Sequence, residues 1–550
     1  MDAYSISYTS LSRRNSSKIY QDLRSVRLAS VPLLDSDHIM SKFAAIDAFA
    51  EHRDLECDVQ PHVAVVGAGV AGLRCADILL RHGFKVSVIE ARNRIGGRIH
   101  QQRLQNGHLV DLGPNWIHGT SENPITELAK KTKTAVGSWD TRSYVFDESG
   151  HLMPVDEGEG YADVMWNIIQ DAFRHSNKHC ADIHTAESLL DFFQEKVAEQ
   201  IPKSEPNFEK KRTILQQMCG LWGAFIGSPV SQQSLKYFWL EECIEGENLF
   251  CAGTYEKILK LIAKPALSEA DVMFNAQVER ILFHQGSENN KVSLQIKAPD
   301  RGGGLTMSFD EVVITCPLGW LQHNVEAFEP PLPARLATAI RSIGYGCLEK
   351  VYISFPKAFW LSEVGENRRV QGFVQWLAPE YAASSNPKRW NQEVVELASL
   401  TPETSHPTLL FYTYGEQSKY ITTALAGIKN GAERDRFLFD FFKPYYSRLP
   451  HYSEESSDCQ PLASLATDWL HDELAGFGSY SNFQVGLEEG DTDITTMRHG
   501  LPEQGLWLAG EHTAPFVALG TVTGAYWSGE SVGRRLAEKH ARLSRAKGAA

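Results

Sequence analysis

The stretch from His62 to Glu90 constrains this chain more than any other. His62-Val63-Ala64-Val65-Val66 is a short apolar run rich in β-branched residues, which predicts a buried strand. Gly67-Ala68-Gly69-Val70-Ala71-Gly72 follows at once. Leu73, Ala76, Leu79 and Leu80 then recur at helical spacing until Gly83 stops the helix. A second apolar strand, Lys85 to Ile89, ends at Glu90. Together these form a βαβ unit of about 30 residues. Gly67, Gly69 and Gly72 meet three needs: a tight turn, close approach of a pyrophosphate to the backbone, and close packing of helix on strand. The phosphates would rest on the positive end of that helix. Glu90 stands where a carboxylate accepts hydrogen bonds from ribose hydroxyls, which favours an unphosphorylated ribose and argues against NADP.

Around this unit the chain continues as alternating elements. Helical patterning dominates from about 155 to 245, broken by Pro202 and Pro206. Strands are expected at Ala276–Phe283, Val292–Lys297, Glu311–Thr315, Val351–Phe355 and Leu409–Tyr414, with a helix near Ala432–Phe442. A last strand, Leu506–Ala509, precedes a helix over Thr523–Ala537, and Gly302-Gly303-Gly304 reads as a surface turn. At 550 residues, two or more domains are expected.

The formal net charge of -14 disfavours nucleic-acid binding, which needs a basic surface. No run approaches the roughly 20 apolar residues of a membrane span. The nine cysteines include no CxxC pair, so neither a disulfide framework nor a metal site is read. A reducing, intracellular and cytoplasmic setting follows as the expectation. Residues up to Ser30 are rich in Ser and Arg, as in a mitochondrial transit peptide, but Asp2 and Asp22 interrupt the pattern and a plain leader is the preferred reading.

Directly after Glu90 comes Ala91-Arg92-Asn93-Arg94-Ile95-Gly96-Gly97-Arg98. The glycines let the backbone turn beneath a large ring, and the arginines suit phosphate or ribityl oxygens; a solvated basic turn is the alternative. This segment resembles the second FAD signature of the flavin amine oxidase family, which includes monoamine oxidases, polyamine oxidases and flavin histone demethylases. Three distant segments agree with it in order. Leu112-Gly113-Pro114-Asn115-Trp116-Ile117-His118-Gly119 resembles the segment beneath the flavin ring, Thr315-Cys316-Pro317-Leu318-Gly319 a strand end near the cofactor, and Leu508-Ala509-Gly510-Glu511-His512-Thr513 the C-terminal signature whose acid binds the ribityl region.

The resemblance covers about residues 60 to 540 and implies an α/β fold. A Rossmann-like FAD-binding domain would come from 61–130, 250–325 and 465–540, and an α+β substrate-binding domain from 131–249 and 326–464. Residues 1–60 would be a leader and 541–550 a tail. The cofactor set implied is Gly67, Gly69, Gly72, Glu90, Arg92, Gly97, Arg98, Asn115, Trp116, Val278, Glu511, Thr521 and Val522. The activity implied is FAD-dependent hydride removal from the carbon beside an amine nitrogen, with imine hydrolysis and reoxidation by O2 to hydrogen peroxide. A polyamine or N-acetylpolyamine is the favoured substrate; monoamine, L-amino-acid and protein-lysine oxidation are alternatives, and a catalytically silent flavoprotein a distant one.

Such a reaction needs a neutral amine held against flavin N5 in a dry, aromatic space. Lys350, in Cys347-Leu348-Glu349-Lys350-Val351, reads as a snorkelling edge charge on composition alone. By the resemblance it would hold a water against N5. Trp469 and Tyr480 would form an aromatic wall, although each alone reads as core. A second aromatic wall position of the family falls on Thr521, implying a roomier and more polar site. The cysteine that carries covalent flavin in monoamine oxidases falls on Ser479, so noncovalent FAD is expected. His118 is either a satisfied loop histidine or a hydrogen-bond partner for the substrate nitrogen. Glu241, Glu242 and Glu245 form either a solvated face or a seat for a distal ammonium.

Overall fold

The computed structural model describes residues 60–137, 143–283, 291–362 and 369–548. The expected leader lies, apart from Gln60, outside the described residues. Five strands form a wholly parallel sheet in the order Leu506–Leu508, Glu311–Ile314, His62–Val66, Lys85–Ile89, Asp271–Met273. The central strand is buried on both faces, as its unbroken apolar run requires. Helix Val70–Arg81 crosses from this strand to Lys85–Ile89 and packs between helices Glu256–Glu269 and Val522–Gly548. The last contact is close because Gly529 has no side chain: a Cβ there would lie 2.0 Å from the Ala71 carbonyl oxygen.

The final helix runs to Gly548, well beyond Ala537 and through most of the stretch expected to be a tail. No proline or glycine interrupts it between Gly533 and Gly548. Lys539 and His540 also fasten it, reaching the buried Glu311 carboxylate at 2.6 and 2.9 Å. A four-stranded sheet, Gly303–Phe309, Val292–Ala298, Gln277–Leu282 and Phe328–Glu329, lies beside the parallel one. Its hairpin turns at Pro299–Gly302, so Gly303 and Gly304 open a strand rather than extend the expected turn.

The other large sheet has six strands in the order Ala463–Ala466, Leu348–Ser354, Thr408–Tyr414, Gln392–Glu396, Phe373–Trp376, Ser143–Phe146. Its neighbours are antiparallel except for the last pair. Alternation gives it two faces. Val351, Ile353, Val394, Leu409 and Phe411 join an aromatic core with Phe442, Tyr445 and Tyr446 of helix Gly431–Tyr446. Tyr352, Val395, Leu410 and Tyr412 face the other way, toward Val110, Ala224 and Phe250. Helices Val155–His179, Leu189–Gln200 and Phe208–Gly220 bury a third core. Among the described residues, no helix is long and apolar enough to cross a membrane, and no group of His, Cys, Asp and Glu could hold a metal ion.

Candidate active site

The glycine turn has the geometry a dinucleotide needs. Gly67 sits at φ 108°, where a side chain would be strained. A Cβ on Gly72 would lie 2.0 Å from the Gly67 carbonyl oxygen, whereas one on Gly69 would meet nothing within 4 Å. Gly72 therefore serves packing, and Gly69 leaves an open approach to the backbone. Glu90, buried at the end of its strand, accepts hydrogen bonds from the Ala68 and Arg92 amides at 2.7 and 2.8 Å. The Gly96 amide donates to Ala68 at 2.8 Å and Gly96 bridges Gly69, which folds the second glycine pair against the first.

The basic segment is not a solvated turn. Arg98 donates to the Ser479 carbonyl at 2.8 Å, to Glu511 at 3.0 Å and to the Tyr345 hydroxyl at 3.2 Å. Glu511 also accepts from the Ser481 hydroxyl at 2.5 Å. Burial alone would raise the Glu511 carboxyl, but Arg98, His512 and Ser481 hold it below its ordinary value. Two motifs at opposite ends of the chain thus meet in one ion pair. Arg92, in the same segment, donates through one guanidinium nitrogen to both oxygens of Asp472, at 2.8 and 2.9 Å. Thr521 lies at the start of the last helix. Its hydroxyl donates to the Ala518 carbonyl at 2.7 Å and accepts from the Gly524 amide at 2.9 Å, so it starts the last helix as a cap, just ahead of Val522. Val278 is buried two residues beyond Ala276, whose amide bonds the Glu90 carbonyl at 2.9 Å.

Lys350 is the third residue of its strand and is buried. Three successive carbonyls receive donors from around it: Asp111 from the Tyr352 hydroxyl at 2.6 Å, Leu112 from the Trp469 indole at 3.2 Å, and Gly113 from the Lys350 ammonium. The Lys350 nitrogen also lies 5.9 Å from the Tyr412 ring centre. The Asp111 carboxylate anchors this row, accepting the Tyr255 amide at 3.1 Å and the Gln101 amide nitrogen at 2.6 Å. Burial pulls Lys350 well below the usual lysine range, against Asp111 and Glu349; burial pushes Asp111 up, against Gln101, Lys350 and Tyr255. Glu349, on the opposite face of the strand, accepts from the Thr467 hydroxyl and, at 2.9 Å, from the Leu470 amide, and so holds the turn that carries Trp469.

Asn115 and Trp116 join the same wall. The Tyr412 hydroxyl donates to Asn115 at 3.1 Å and accepts from the Trp116 indole at 3.2 Å. Tyr480 is half-buried, with its hydroxyl on the Phe225 carbonyl at 2.6 Å and its ring beside Gly520. His118 is half-buried, and burial pulls it down to about 4 against a hydrogen bond with Asn248, so its imidazole is neutral near pH 7. Glu245 is exposed, but Glu241 is half-buried, accepts from the Phe483 amide at 3.3 Å, and is pushed up to about 8 by burial. Residues that sequence reasoning passed over also belong here. Tyr412 and Asp111 sit in apolar strands whose alternation alone marks the faces. The two ring nitrogens of His512 are buried without a partner beside Glu511.

This fold and site define a dinucleotide-binding oxidoreductase with a buried lysine against an aromatic wall. The family profile described as flavin containing amine oxidoreductase matches residues 70–537. The chain belongs to this family and is an FAD-dependent amine oxidoreductase. It is 27% identical over 485 residues to Polyamine oxidase 3 of Oryza sativa subsp. japonica, covering 85% of this chain and 87% of that protein. It is 29% identical over 315 residues to Probable polyamine oxidase 4 of Arabidopsis thaliana, covering 55% of this chain and 60% of that protein. The Mus musculus Lysine-specific histone demethylase 1B is 28% identical over 308 residues, 55% of this chain and 35% of that protein. In fold, the chain resembles putrescine oxidase bound to putrescine, with TM-score 0.61, 17% identity, and 87% of this chain and 99% of that one covered. The residues present fit FAD: the open face of Gly69 and the unpartnered nitrogens of His512 are features a bound polar cofactor would satisfy.

Proposed function

We propose that this chain is a polyamine or N-acetylpolyamine oxidase with noncovalent FAD. The observation that carries the reading is the buried Lys350 aligned with Trp469 and Tyr352 on one carbonyl row, in a wall completed by Tyr412 and Trp116. Gly67, Gly69, Gly72 and Glu90 would hold the adenosine and pyrophosphate end, while Arg98 and Glu511 would face the ribityl chain. FAD supplies the hydride acceptor at N5 and, once reduced, the electrons that convert O2 to hydrogen peroxide. The protein keeps the amine neutral and oriented. A dry aromatic pocket disfavours the ammonium, and a neutral His118, one ring nitrogen held by Asn248, offers the other to a secondary nitrogen or acetamide. Lys350, drawn toward neutrality by burial, would hold a water at the reacting face. Glu241, near Tyr480, would receive an ammonium from the part of the substrate that does not react. Ser479 cannot form a thioether with flavin, and its hydroxyl accepts from the Leu348 amide at 3.2 Å.

The test is peroxide release from the purified yellow protein across spermine, spermidine, their acetylated forms, benzylamine and amino acids. Preference for the polyamines is expected. Turnover of amino acids alone would rule the substrate class out, and a protein that takes up no FAD would end the whole reading.

A further inference from the structure

Glu349 and Lys350 are neighbours in the strand Leu348–Ser354, so their side chains leave opposite faces of the sheet. Lys350 enters the candidate site, and Glu349 enters the apolar side, where Val351 and Ile353 pack. Glu349 is 2% exposed, and its partners are hydrogen-bond donors rather than a cation. Burial, with Asp468 adding to it, pushes its carboxyl up to about 7 against bonds from Thr467, Leu470 and Trp469. A buried carboxyl costs stability that an apolar side chain of similar size would not.

Its hydrogen bonds go to the segment that leaves strand Ala463–Ala466. The ladder between that strand and Leu348–Ser354 ends at the pair Val351–Ala466. Thr413, directly opposite Glu349 on the other neighbouring strand, takes no part, since its hydroxyl bonds that of Ser418 at 3.0 Å. Past the end of the ladder, Thr467 exchanges two bonds with Lys350. Its amide donates to the Lys350 carbonyl at 3.0 Å, and its hydroxyl accepts from the Lys350 amide at 2.8 Å. A hydroxyl carries one proton; that of Thr467 goes to Glu349, which leaves the oxygen free to accept from Lys350. Leu470, whose amide reaches the other Glu349 oxygen at 2.9 Å, follows Trp469 directly. One carboxylate thus ties the backbone of the lysine to the backbone of the tryptophan. Their side chains end on adjacent carbonyls, Lys350 on Gly113 and Trp469 on Leu112 at 3.2 Å.

We propose that Glu349 is a positioning residue for amine oxidation, holding Lys350 and Trp469 as one unit against the Leu112 and Gly113 carbonyls. It acts through Thr467 and Leu470 rather than by touching the amine. Two diverging donors, a hydroxyl and an amide three residues apart, need two acceptor oxygens on one short side chain, which a carboxylate supplies and an amide does not. The inference rests on the reading of Lys350 and Trp469 given above and names what fixes them relative to each other.

The test compares Glu349→Leu in two backgrounds of the holoenzyme, native and Lys350→Met/Trp469→Phe, with the amine of the peroxide panel that the native protein turns over fastest. The readout is whichever flavin step, reduction or reoxidation, the Lys350→Met change slows. In the native background Glu349→Leu should slow that step roughly tenfold, with FAD content and half-saturation by the amine unchanged. In the second background it should have almost no effect, because a residue that acts only through two others adds nothing once they are gone. Glu349→Gln, which keeps one acceptor oxygen, should fall between native and Glu349→Leu. A crystal structure of Glu349→Leu should show the Lys350 ammonium or the Trp469 indole displaced from its carbonyl. No slowing in the native background, equal slowing in both, or both side chains still in place would overturn the proposal while leaving the reading of Lys350 intact. If the Lys350→Met/Trp469→Phe protein slowed neither flavin step, that reading would fall and the proposal with it. Should Glu349→Leu not fold, Thr467→Val, which removes the relay and keeps the carboxyl, decides in the same two backgrounds.

Discussion

The parallel sheet and the six-stranded sheet meet their ligands in opposite ways. At the end of the parallel sheet, side chains are withheld so that a ligand can reach the backbone, as Gly67 and Gly69 show. On the six-stranded sheet, side chains are pushed forward, and Lys350 and Tyr412 carry charge and hydrogen bonds into a closed interior. The first arrangement is fixed by a few contiguous residues. The second depends on register between strands far apart in sequence. Damage to the first should remove the cofactor, and damage to the second should change chemistry or substrate preference while the cofactor stays.

The largest effect should come from Gly72→Ala. The added methyl would stand 2.0 Å from a backbone oxygen, which no side-chain rotation can relieve. A destabilisation of about 3 kcal/mol is expected, together with loss of the yellow flavin from purified protein. Absorbance and thermal unfolding check both. A variant that stays yellow with an unchanged midpoint would break the comparison on its cofactor side.

Lys350→Met should act on the other side. Flavin reduction or reoxidation is expected to slow roughly a hundredfold, with FAD still bound, as stopped-flow spectra would show. If the flavin itself were lost, Lys350 would belong with the cofactor cradle and the division between the two sheets would not hold. Asp111→Asn tests the electrostatics beneath it. Asp111 raises the Lys350 pKa against burial, so without its charge burial acts with less opposition and Lys350 gives up its proton at lower pH. The limb of the pH–rate profile governed by this lysine should move toward acid. An unmoved limb would mean that Asp111 merely fixes the carbonyl row through the Tyr255 amide.

These cases show which parts of the molecule could be read from its sequence. The Gly67–Gly72 turn, Glu90 and the Gly96-Gly97 pair were legible because their chemistry is local. Short apolar runs also located four of the five strands of the parallel sheet, but only Leu348–Ser354 and Thr408–Tyr414 of the six-stranded one. Lys350 required family resemblance, since a lysine in an apolar strand has the same pattern whether it snorkels or is buried. The bond from Glu349 to the Leu470 amide was invisible for a stronger reason. It exists only because Ala463–Ala466 pairs antiparallel with Leu348–Ser354, and a slip of one residue would send Glu349 to the opposite face. The Arg92–Asp472 pair was hidden in the same way, since Asp472 lies 380 positions away and nothing in the basic segment announces it.

Thr521 separates local from long-range reading at the smallest scale. Alignment with an aromatic wall position places it in the site, whereas its hydrogen bonds place it at the start of the Val522–Gly548 helix. The two roles predict different losses. A cap hydroxyl removed by Thr521→Ala should cost about 1 kcal/mol of stability, and Thr521→Ser, which keeps the hydroxyl, should restore it. Turnover with the best amine should fall little in either variant, because the hydroxyl is already occupied by the Ala518 carbonyl and the Gly524 amide. A large drop in turnover in Thr521→Ala with an unchanged unfolding midpoint would return this residue to the active site. The wall opposite Tyr480 would then be formed by a hydroxyl rather than left open beside Gly520.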